Sequence, residues 1–271
     1  MLQSEIGVMH ASRPSSPFGH QEMRKSIAPA NEQAMDTYAL PSEERTCQLI
    51  SQYFRDTGLL FPYIHEESFW ESYEAMRSSN FTRMRRSWLG LLNMVMAMAT
   101  STAINVEVSA EKRAQESNVY YQRAMAICEK QVMRGTSLEI GQYCHYFVRG
   151  EVLLTKLVQF LLLMGQYLQG TQRSVETWTI HGLAVKAALQ LGLHSSKASK
   201  HLSPLIQEYR KRTWYGCVIL DRTLSMTFGR PAAIPEDYLM IDLPCHVRTR
   251  DSPAPIMPHH EVSLEFFNAT M

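Results

Sequence analysis

Cysteines are few in this sequence, and no two of them are spaced as CxxC. The five are odd in number and far apart, at Cys47, Cys128, Cys144, Cys217 and Cys245. Such spacing argues against a zinc knuckle or a disulfide framework and suits a reducing compartment. We expect these side chains to be buried or surface thiols. The N-terminus also lacks a basic region followed by a short apolar core, so no secretory signal is predicted and the protein is expected inside the cell.

An excess of one charge sign is missing as well. The 271 residues include 27 Lys and Arg against 26 Asp and Glu, and the formal net charge is +1. No field over the whole surface would attract phosphate backbones, so direct binding to nucleic acid is disfavoured. Two short basic clusters, at 83–86 and 210–212, are candidates for a nuclear-import or phosphate-contact patch. For the second we favour a solvated helix face, because Glu208 lies four residues before Arg212 and can pair with it.

Motifs for catalysis and metal binding are absent too. The sequence has no glycine-rich phosphate loop, no HExxH, no nucleophile elbow and no EF-hand loop. Four histidines have no metal-ligating residue three or four positions further on: His65, His181, His194 and His201. His259 and His260 lie in a proline-rich tail, and the adjacent Cys144 and His145 point their side chains in different directions. We therefore predict no catalytic residue, no cofactor and no metal in this chain.

What the sequence does contain is helical periodicity. Hydrophobic residues make up 45% of the chain, and no period-two pattern of useful length appears. We predict an all-α fold, with a disordered linker over residues 1–40 and one domain over 41–271. Predicted helices follow Ser42, with Gly58 as the stop, and cover 66–78, 87–102, 109–134, 174–191 and 204–228. The tail after Pro244 is predicted to be extended or irregular, because three prolines interrupt it.

One uncharged stretch, Ser87–Val106, is long enough to span a bilayer of about 30 Å. Asn93, Asn105 and three hydroxyl residues at 100–102 dilute its apolar character, and Met and Ala replace the residues that membrane insertion favours. We favour a buried core helix over a membrane span.

An acidic residue is predicted to enter the core. Asp221 falls on the same helical face as Trp214 and Val218, so its carboxylate should point into an apolar interior and require a partner. Arg230 follows a glycine that can reverse the chain, and it is the expected partner. We favour a buried ion pair that locks the helix end over a ligand contact.

The most informative stretch runs from Trp178 to Pro244. Its motif residues are Trp178, Gly182, Gly192, Leu193, His194, Glu208, Arg210, Arg212, Trp214, Asp221, Arg222, Gly229, Arg230 and Pro231. In order and spacing these residues resemble the middle homology region of fungal zinc-cluster transcription factors, a regulatory domain also described for xylanolytic activators. The resemblance extends back to 53–65 and forward to 266–270, where the chain stops within the domain by comparison.

The resemblance implies a non-catalytic regulatory domain in the nucleus that controls transcription through an effector or a protein partner, with structural roles for the motif residues. Family members also carry six cysteines that bind two zinc ions, and this sequence contains no such module. Contact with DNA is therefore expected only through a missing or partner-supplied module. The chain would then come from a gene that lost the module, be a fragmentary gene product, or work through partners, including a homodimer, away from membranes.

Two other functions stay open. The first is a small-molecule-binding protein or enzyme, in which some of the 16 methionines line an adaptable hydrophobic pocket. The second is an interaction scaffold that dimerises with a full-length relative and dampens its activity.

Residues 141–157 interrupt what the resemblance implies should be one helix. Without them, Ser137–Ile140 would join Val158–Met164 with a continuous apolar face, and the insert fits the period of neither neighbour. The segment corresponds to seventeen codons, a length that suits a short intron and keeps the reading frame. We therefore interpret the insert as a retained intron. The competing interpretation is a genuine surface loop, since the entropy of loop closure grows slowly with length.

Overall fold

The structure of the protein is a computed structural model. It describes residues 36–79, 86–104, 108–135, 148–245 and 258–270, and of these it describes the backbone alone at 129–135, 148–153 and 258–261. Most of the predicted linker, residues 1–35, lies outside these ranges. So do Cys144, His145 and positions 83–85 of the first basic cluster.

The described residues form helices and no strand, which confirms the all-α fold class. The helices are α1 (Glu43–Arg55), α2 (Thr57–Leu60), α3 (Glu66–Ser78), α4 (Arg86–Thr102), α5 (Ala110–Gly135), α6 (Val148–Gly170), α7 (Ser174–Gln190), α8 (Ser196–Ser199), α9 (Pro204–Phe228) and α10 (Pro258–Ala269). A short 3₁₀ turn, Glu236–Leu239, lies between α9 and α10.

Side-chain caps set the starts of three helices. Ser42 accepts a hydrogen bond from the backbone N–H of Arg45 at 3.3 Å and begins α1. Ser203 does the same for α9, where Pro204 occupies the first helical position. His65 caps α3 through its Nδ1 atom, which accepts from the backbone N–H of Ser68 at 3.3 Å. The predicted bounds of α3 and α9 are confirmed.

The prediction that Gly58 stops the first helix is wrong. Helix α1 already ends at Arg55, and Gly58 lies inside the short helix α2. A side chain at position 58 would approach the ring of Tyr53 to 3.1 Å and that of Phe54 to 3.2 Å. The glycine therefore gives room to two aromatic rings rather than ending a helix.

Helix α4 is the centre of the hydrophobic core. Every residue from Ser87 to Thr100 is buried, and the helix contacts α1, α5 and α6. A Cβ at Gly90 would lie 2.1 Å from the sulfur of Cys128 on α5, so only glycine permits this close approach. In the part of the chain that the structure describes, no helix is long and apolar enough to cross a membrane. The interpretation of 87–102 as a core helix is confirmed.

Helix α6 extends into the segment interpreted as an insert. It begins at Val148, and it carries Thr155 and Leu157 into the core. Leu154, Leu157 and Leu161 follow the spacing of one helical face, because they stand at i, i+3 and i+7. The prediction that the insert matches the helical period of neither neighbouring segment is thus wrong for residues 148–157. Residues 141–147 lie outside the described residues.

The C-terminal tail also departs from expectation, because Pro258–Ala269 form helix α10 rather than an irregular segment. Proline is tolerated at a first helical position, where its missing N–H costs no hydrogen bond. Leu264 and Phe267 then bury one side of the helix, which contacts α2. Asn268 donates a hydrogen bond to the carbonyl of Pro244 at 3.0 Å and ties α10 to the end of the preceding segment.

Candidate functional site

Helix α9 carries six of the fourteen motif residues and contacts α6, α7 and α8. Because neighbours cover several of its faces, charged side chains are buried along it, with exposed fractions of 2% for Glu208, 1% for Arg210 and 7% for Arg212. The prediction of a solvated face at 210–212 is therefore wrong for both arginines. Lys211 is half-buried.

The predicted pair between Glu208 and Arg212 exists, with 2.9 Å between Oε1 and Nε. Both members also bind one residue of a distant segment. The backbone N–H of Cys245 donates to Glu208 Oε1 at 2.8 Å, and Arg212 Nη2 donates to the carbonyl of Cys245 at 2.9 Å. Tyr215 donates its hydroxyl to the carbonyl of Ile241 at 2.6 Å. These bonds fasten residues 241–245, which we call the strap, to α9.

The carboxylate of Asp221 is fully buried, as predicted, and joins three parts of the chain. Its Oδ1 lies 3.1 Å from Nε2 of His181 on α7, and its Oδ2 lies 3.1 Å from Nη1 of Arg222. The backbone N–H groups of Ala233 and Ile234 donate to the two oxygens at 3.0 and 3.1 Å. Asp221 therefore fixes the segment after α9 as well as the contact between α7 and α9.

Arg230 is not the partner of Asp221, and that prediction is wrong. The Arg230 guanidinium lies over the ring of Trp178, 4.9 Å from its centroid, while Phe228 meets the same ring edge-on at 6.1 Å. The turn at Gly229, whose φ is +61°, carries Arg230 to the exposed side of α7 rather than back towards Asp221. A cation over an indole face is a favourable contact that needs no carboxylate.

The electrostatics of Asp221 follow from two opposing effects. Burial alone would raise the pKa of the carboxyl, because it penalises the charged form. The hydrogen bonds from His181, Ile234 and Ala233 outweigh burial and hold the pKa of Asp221 below its ordinary value. The residue is consequently a fixed negative charge in the core.

Arg210 binds a backbone carbonyl at the C-terminal end of α7. Its Nη2 donates to the carbonyl of Leu191, the C-cap residue of that helix, at 2.7 Å, and its Nε donates to Ser199 Oγ on α8 at 2.9 Å. A cation at a helix C-terminus is favourable because the last carbonyls carry partial negative charge. Arg210 therefore links α7, α8 and α9.

The remaining motif residues have different surroundings. Gly192 takes the left-handed conformation, with φ +65°, and a Cβ there would lie 2.8 Å from that of Ala198. The ring of His194 lies 5.8 Å from that of the buried Trp214. Leu193 is buried, Gly182 is half-buried and Pro231 is exposed. Most motif residues thus lie at the contacts among α7, α8 and α9, whereas the exposed motif residues take no part in these contacts.

Sequence reasoning missed two contributors to this network, His181 and Cys245. His181 lies 40 positions from Asp221, and Cys245 lies 37 positions from Glu208. No local spacing signals either contact. Among the described residues, no group of three His, Cys, Asp or Glu side chains is placed to hold a metal ion.

A cavity of about 1100 Å³ is the second feature of the site. It lies between α1, α2, the end of α4, the first part of α5, the end of α6 and the middle of α9. Apolar lining comes from Leu60, Phe61, Met98, Ile104, Tyr167, Ile219 and Leu220. Charged lining comes from Arg45, Arg55, Asp56, Arg113 and Glu116. Sequence reasoning did not anticipate this cavity, since its lining comes from six separate helices.

Hydrogen bonds within the protein orient the polar lining. The hydroxyls of Thr100 and Thr223 each donate to a backbone carbonyl of their own helix, and the hydroxyl of Thr171 donates to the carbonyl of Tyr167 in the last turn of α6. The oxygen lone pairs of all three hydroxyls remain as acceptors. Gln166 accepts a hydrogen bond from the hydroxyl of Tyr63 at 2.8 Å, which fixes its amide beside the cavity. The lining thus combines a large apolar area with a few oriented polar groups, as ligand sites do.

Comparison with known proteins adds a family to this geometry. The family model described as "Fungal specific transcription factor domain" matches residues 50–263. Solved structures give no match.

Curated relatives also match. Transcription factor FBD3 of Gibberella moniliformis is 41% identical over 202 residues, which cover 74% of this chain and 25% of that protein. Transcription factor FBD3 of Fusarium pseudograminearum is 40% identical over 201 residues, with 74% and 24% covered. Sorbicillinoid biosynthetic cluster transcription factor 2 of Penicillium rubens is 29% identical over 207 residues, with 72% and 27% covered. The matched part of the chain thus corresponds to about a quarter of each relative's length.

Proposed function

Because the chain belongs to the fungal specific transcription factor domain family, we propose that it is a non-catalytic regulatory domain of a fungal transcription regulator and acts in the nucleus. The observation that carries this proposal is the family match over residues 50–263. The names of the relatives agree with it, since each is called a transcription factor. Contact with DNA comes from another module or from a partner, and the domain needs no cofactor of its own.

The cavity is the site at which the domain senses an effector. Its volume of about 1100 Å³ lies just above the range of about 300 to 1,000 Å³ that is typical of small-molecule sites. It is lined by the middle of α9, the helix that also holds the strap and Asp221. A ligand in the cavity would therefore contact the helix on which the buried polar network depends.

The hypothesis of a methionine-rich pocket receives little support. Met94, Met96 and Met164 are core residues with no more than 1% exposure. Of the methionines in the described residues, Met98 alone lines the cavity. The core position of these side chains favours a role in filling space between α4 and its neighbours.

A reporter assay tests the regulatory role. The chain is placed between a heterologous DNA-binding domain and a strong activation domain, and transcription is compared with that of the same fusion without the chain. We expect the chain to change reporter transcription and to make it depend on growth conditions. Reporter output that equals the control fusion under all conditions, with the chain shown to be folded, would overturn the proposal.

Two variants distinguish regulation by the folded domain from an effect of the added chain length. Trp214→Ala removes a side chain with 0% exposure and should abolish the effect, because the domain loses its core. Val175→Ala removes a side chain with 80% exposure and should leave the effect intact. An effect that survives Trp214→Ala in an unfolded chain would mean that the added length, not the domain, changes transcription.

A further inference from the structure

The hydroxyl groups of the cavity lining share one hydrogen-bonding arrangement. Each donates its hydrogen to a backbone carbonyl three or four positions earlier in the chain, at 2.8 to 3.0 Å: Thr100, Ser101, Thr102, Thr171 and Thr223. A hydroxyl has one hydrogen and two acceptor lone pairs. Because the hydrogen is already committed to the protein, these groups meet a ligand as hydrogen-bond acceptors.

One amide of the lining supplies the opposite group. The side-chain oxygen of Gln166 accepts from the hydroxyl of Tyr63 at 2.8 Å, so its NH₂ group is left to donate. A hydroxyl group of a ligand can donate to a threonine oxygen and also accept from this amide. An ether oxygen can only accept.

The charged side chains of the lining are engaged within the protein. Arg45 donates to Glu116 through Nε and Nη2 at 3.1 to 3.3 Å. Arg55 lies 3.7 Å from Asp56, and Arg113 donates to a backbone carbonyl. A charged ligand would have to compete with these partners and give up its own hydration. An uncharged ligand avoids this cost.

Apolar side chains from several parts of the chain also line the cavity. Phe61 directly follows α2, and Tyr167 belongs to α6. Ile219 and Leu220 belong to α9. The volume of about 1100 Å³ has room for a molecule of several rings. Such a molecule buries apolar surface against all of these side chains, which favours its binding.

We propose that the cavity binds an uncharged, mainly apolar organic molecule that carries hydroxyl groups, such as a diphenol. The ligand donates its hydroxyl hydrogens to lining oxygens such as that of Thr223, and its apolar body lies against Phe61, Ile219 and Leu220. The inference rests on the proposed function, because it names the chemical class of the effector that the same cavity takes. A molecule of similar shape without hydroxyl hydrogens leaves the acceptors of the lining unmatched.

The test uses the purified 271-residue chain with the uncharged dye Nile red as a fluorescent probe. Three matched molecules compete with the dye: bisphenol A, its dimethyl ether, and diphenolic acid, which adds a carboxylate to the same two phenols. The assay is run at about pH 7, where phenols with a pKa of about 10 are uncharged.

We expect one saturable dye site per chain. Bisphenol A should displace the dye about tenfold better than its dimethyl ether does, since net hydrogen bonds of this kind are worth up to about that factor. Diphenolic acid should be no better a competitor than bisphenol A, because the charges of the lining already have partners.

A threonine variant tests the acceptor role of the lining. Thr223→Val keeps the shape of the side chain but removes its hydroxyl, so it should reduce the advantage of bisphenol A to about threefold and leave the dimethyl ether unchanged. Thr227→Val is the matched control. Thr227 lies one turn further along α9, its hydroxyl makes the same kind of bond to a backbone carbonyl at 2.8 Å, and it does not line the cavity.

A glycine variant assigns binding to the cavity itself. Gly170 lines the cavity, and a Cβ at this position would meet no atom within 4 Å, so a larger side chain has room to enter. Gly170→Trp should therefore weaken the binding of the dye and of every competitor. Gly182→Trp is the control, because a Cβ at Gly182 also meets no atom within 4 Å and this residue lies outside the cavity. Circular dichroism during thermal unfolding verifies that each variant is folded, and Thr223→Val decides if Gly170→Trp does not fold.

Several outcomes would overturn the inference: no saturable dye site, equal competition by bisphenol A and its dimethyl ether, stronger competition by diphenolic acid, unchanged dye binding in folded Gly170→Trp, or a Thr223→Val variant that behaves like Thr227→Val. The binding assay contains no DNA and no transcription. A failure here therefore leaves the reporter result standing, and a failed reporter assay leaves the binding result standing.

Discussion

His181 and Asp221 form a hydrogen bond across the buried contact between α7 and α9, with 3.1 Å between Nε2 and Oδ1. The side chains are 2% and 0% exposed, so neither group has water as an alternative partner. The same carboxylate accepts from the backbone N–H groups of Ala233 and Ile234. One side chain thereby satisfies donors from two segments that are far apart in the sequence.

Replacing Asp221 should destabilise the domain strongly. Asp221→Ala leaves His181 and two backbone N–H groups without their acceptor in the core, and we expect a loss of about 3 to 5 kcal/mol in the free energy of unfolding. Asp237→Ala, at an exposed position of the 3₁₀ turn, is the control and should change little. Urea denaturation measures both, and equal midpoints for the two variants would contradict the assigned role of Asp221.

Glu208→Ala should be nearly as harmful, although an exposed helical pair would cost only about 0.5 kcal/mol. The variant strands the buried Arg212 guanidinium and frees the N–H of Cys245, so we expect a loss of about 3 kcal/mol. Lys211→Ala removes a contact to the same carboxylate from a side chain that is 21% exposed, and should cost about 1 kcal/mol or less. A smaller loss for Glu208→Ala than for Lys211→Ala would refute this ordering.

His65 should make stability depend on pH. Burial lowers the pKa of His65, while Glu67 and Glu71 raise it and Arg212 lowers it further; the ring also packs against Tyr209. A histidine with a lowered pKa contributes its full stabilisation above the unfolded pKa of about 6.5, and this contribution is lost as the pH falls from there through the lower pKa of the folded state. Protonation also removes the Nδ1 lone pair that caps α3.

The measurement compares the unfolding free energies of the wild type and His65→Asn at about pH 7.5 and about pH 5.5, either side of the ordinary histidine pKa. Asparagine caps helices without titrating, so the variant should lose less stability on acidification than the wild type. His201→Asn, at an exposed position, is the control. If the wild type and His65→Asn respond identically to acid, His65 is not the responsible group.

The purified 271-residue chain should not recognise a DNA sequence. A formal net charge of +1 offers little release of counterions, and no DNA-reading motif is predicted from the sequence of these 271 residues. Fluorescence anisotropy with promoter duplexes and scrambled duplexes should give the same weak, salt-sensitive signal. Sequence-dependent binding at about nanomolar concentration and physiological salt would contradict this prediction.

Deleting residues 141–157 should destabilise the protein, because α6 buries Thr155 and Leu157 from within that segment. The loss of one large buried apolar side chain alone costs about 2 to 5 kcal/mol. Thermal unfolding of the deletion variant measures the effect. An equally stable deletion variant, together with a mature transcript that lacks these codons, would instead favour the retained intron.

The features predicted correctly from the sequence are local ones. Ser203 followed by Pro204 marks the start of α9, and the uncharged run that begins at Ser87 predicts a core helix, because caps and hydrophobic periodicity act within one helix. The Glu208 and Arg212 pair is likewise visible at i, i+4. What the spacing could not reveal is its burial, which depends on the number of helices packed around α9.

Partners that lie far apart in the sequence were not predictable in this way. The sequence predicts Arg230 as the partner of Asp221 because it follows a glycine that can reverse the chain, whereas His181 reaches Asp221 only once α7 and α9 pack together. The cavity shows the same limit more strongly, since six separate helices line it. Helix α10 was missed because three prolines outweighed the apolar side formed by Leu264 and Phe267.

The strap has a consequence for the timing of synthesis. Glu208 and Arg212 emerge from the ribosome well before Cys245, which stands 37 positions after Glu208. At translation rates of about 5 to 20 residues per second, this interval lasts about 2 to 7 seconds. During it the nascent α9 carries an ion pair that lacks its backbone partners. A pause in translation between these positions would prolong the time for which α9, not yet bonded to the strap, is exposed to chaperones and proteases.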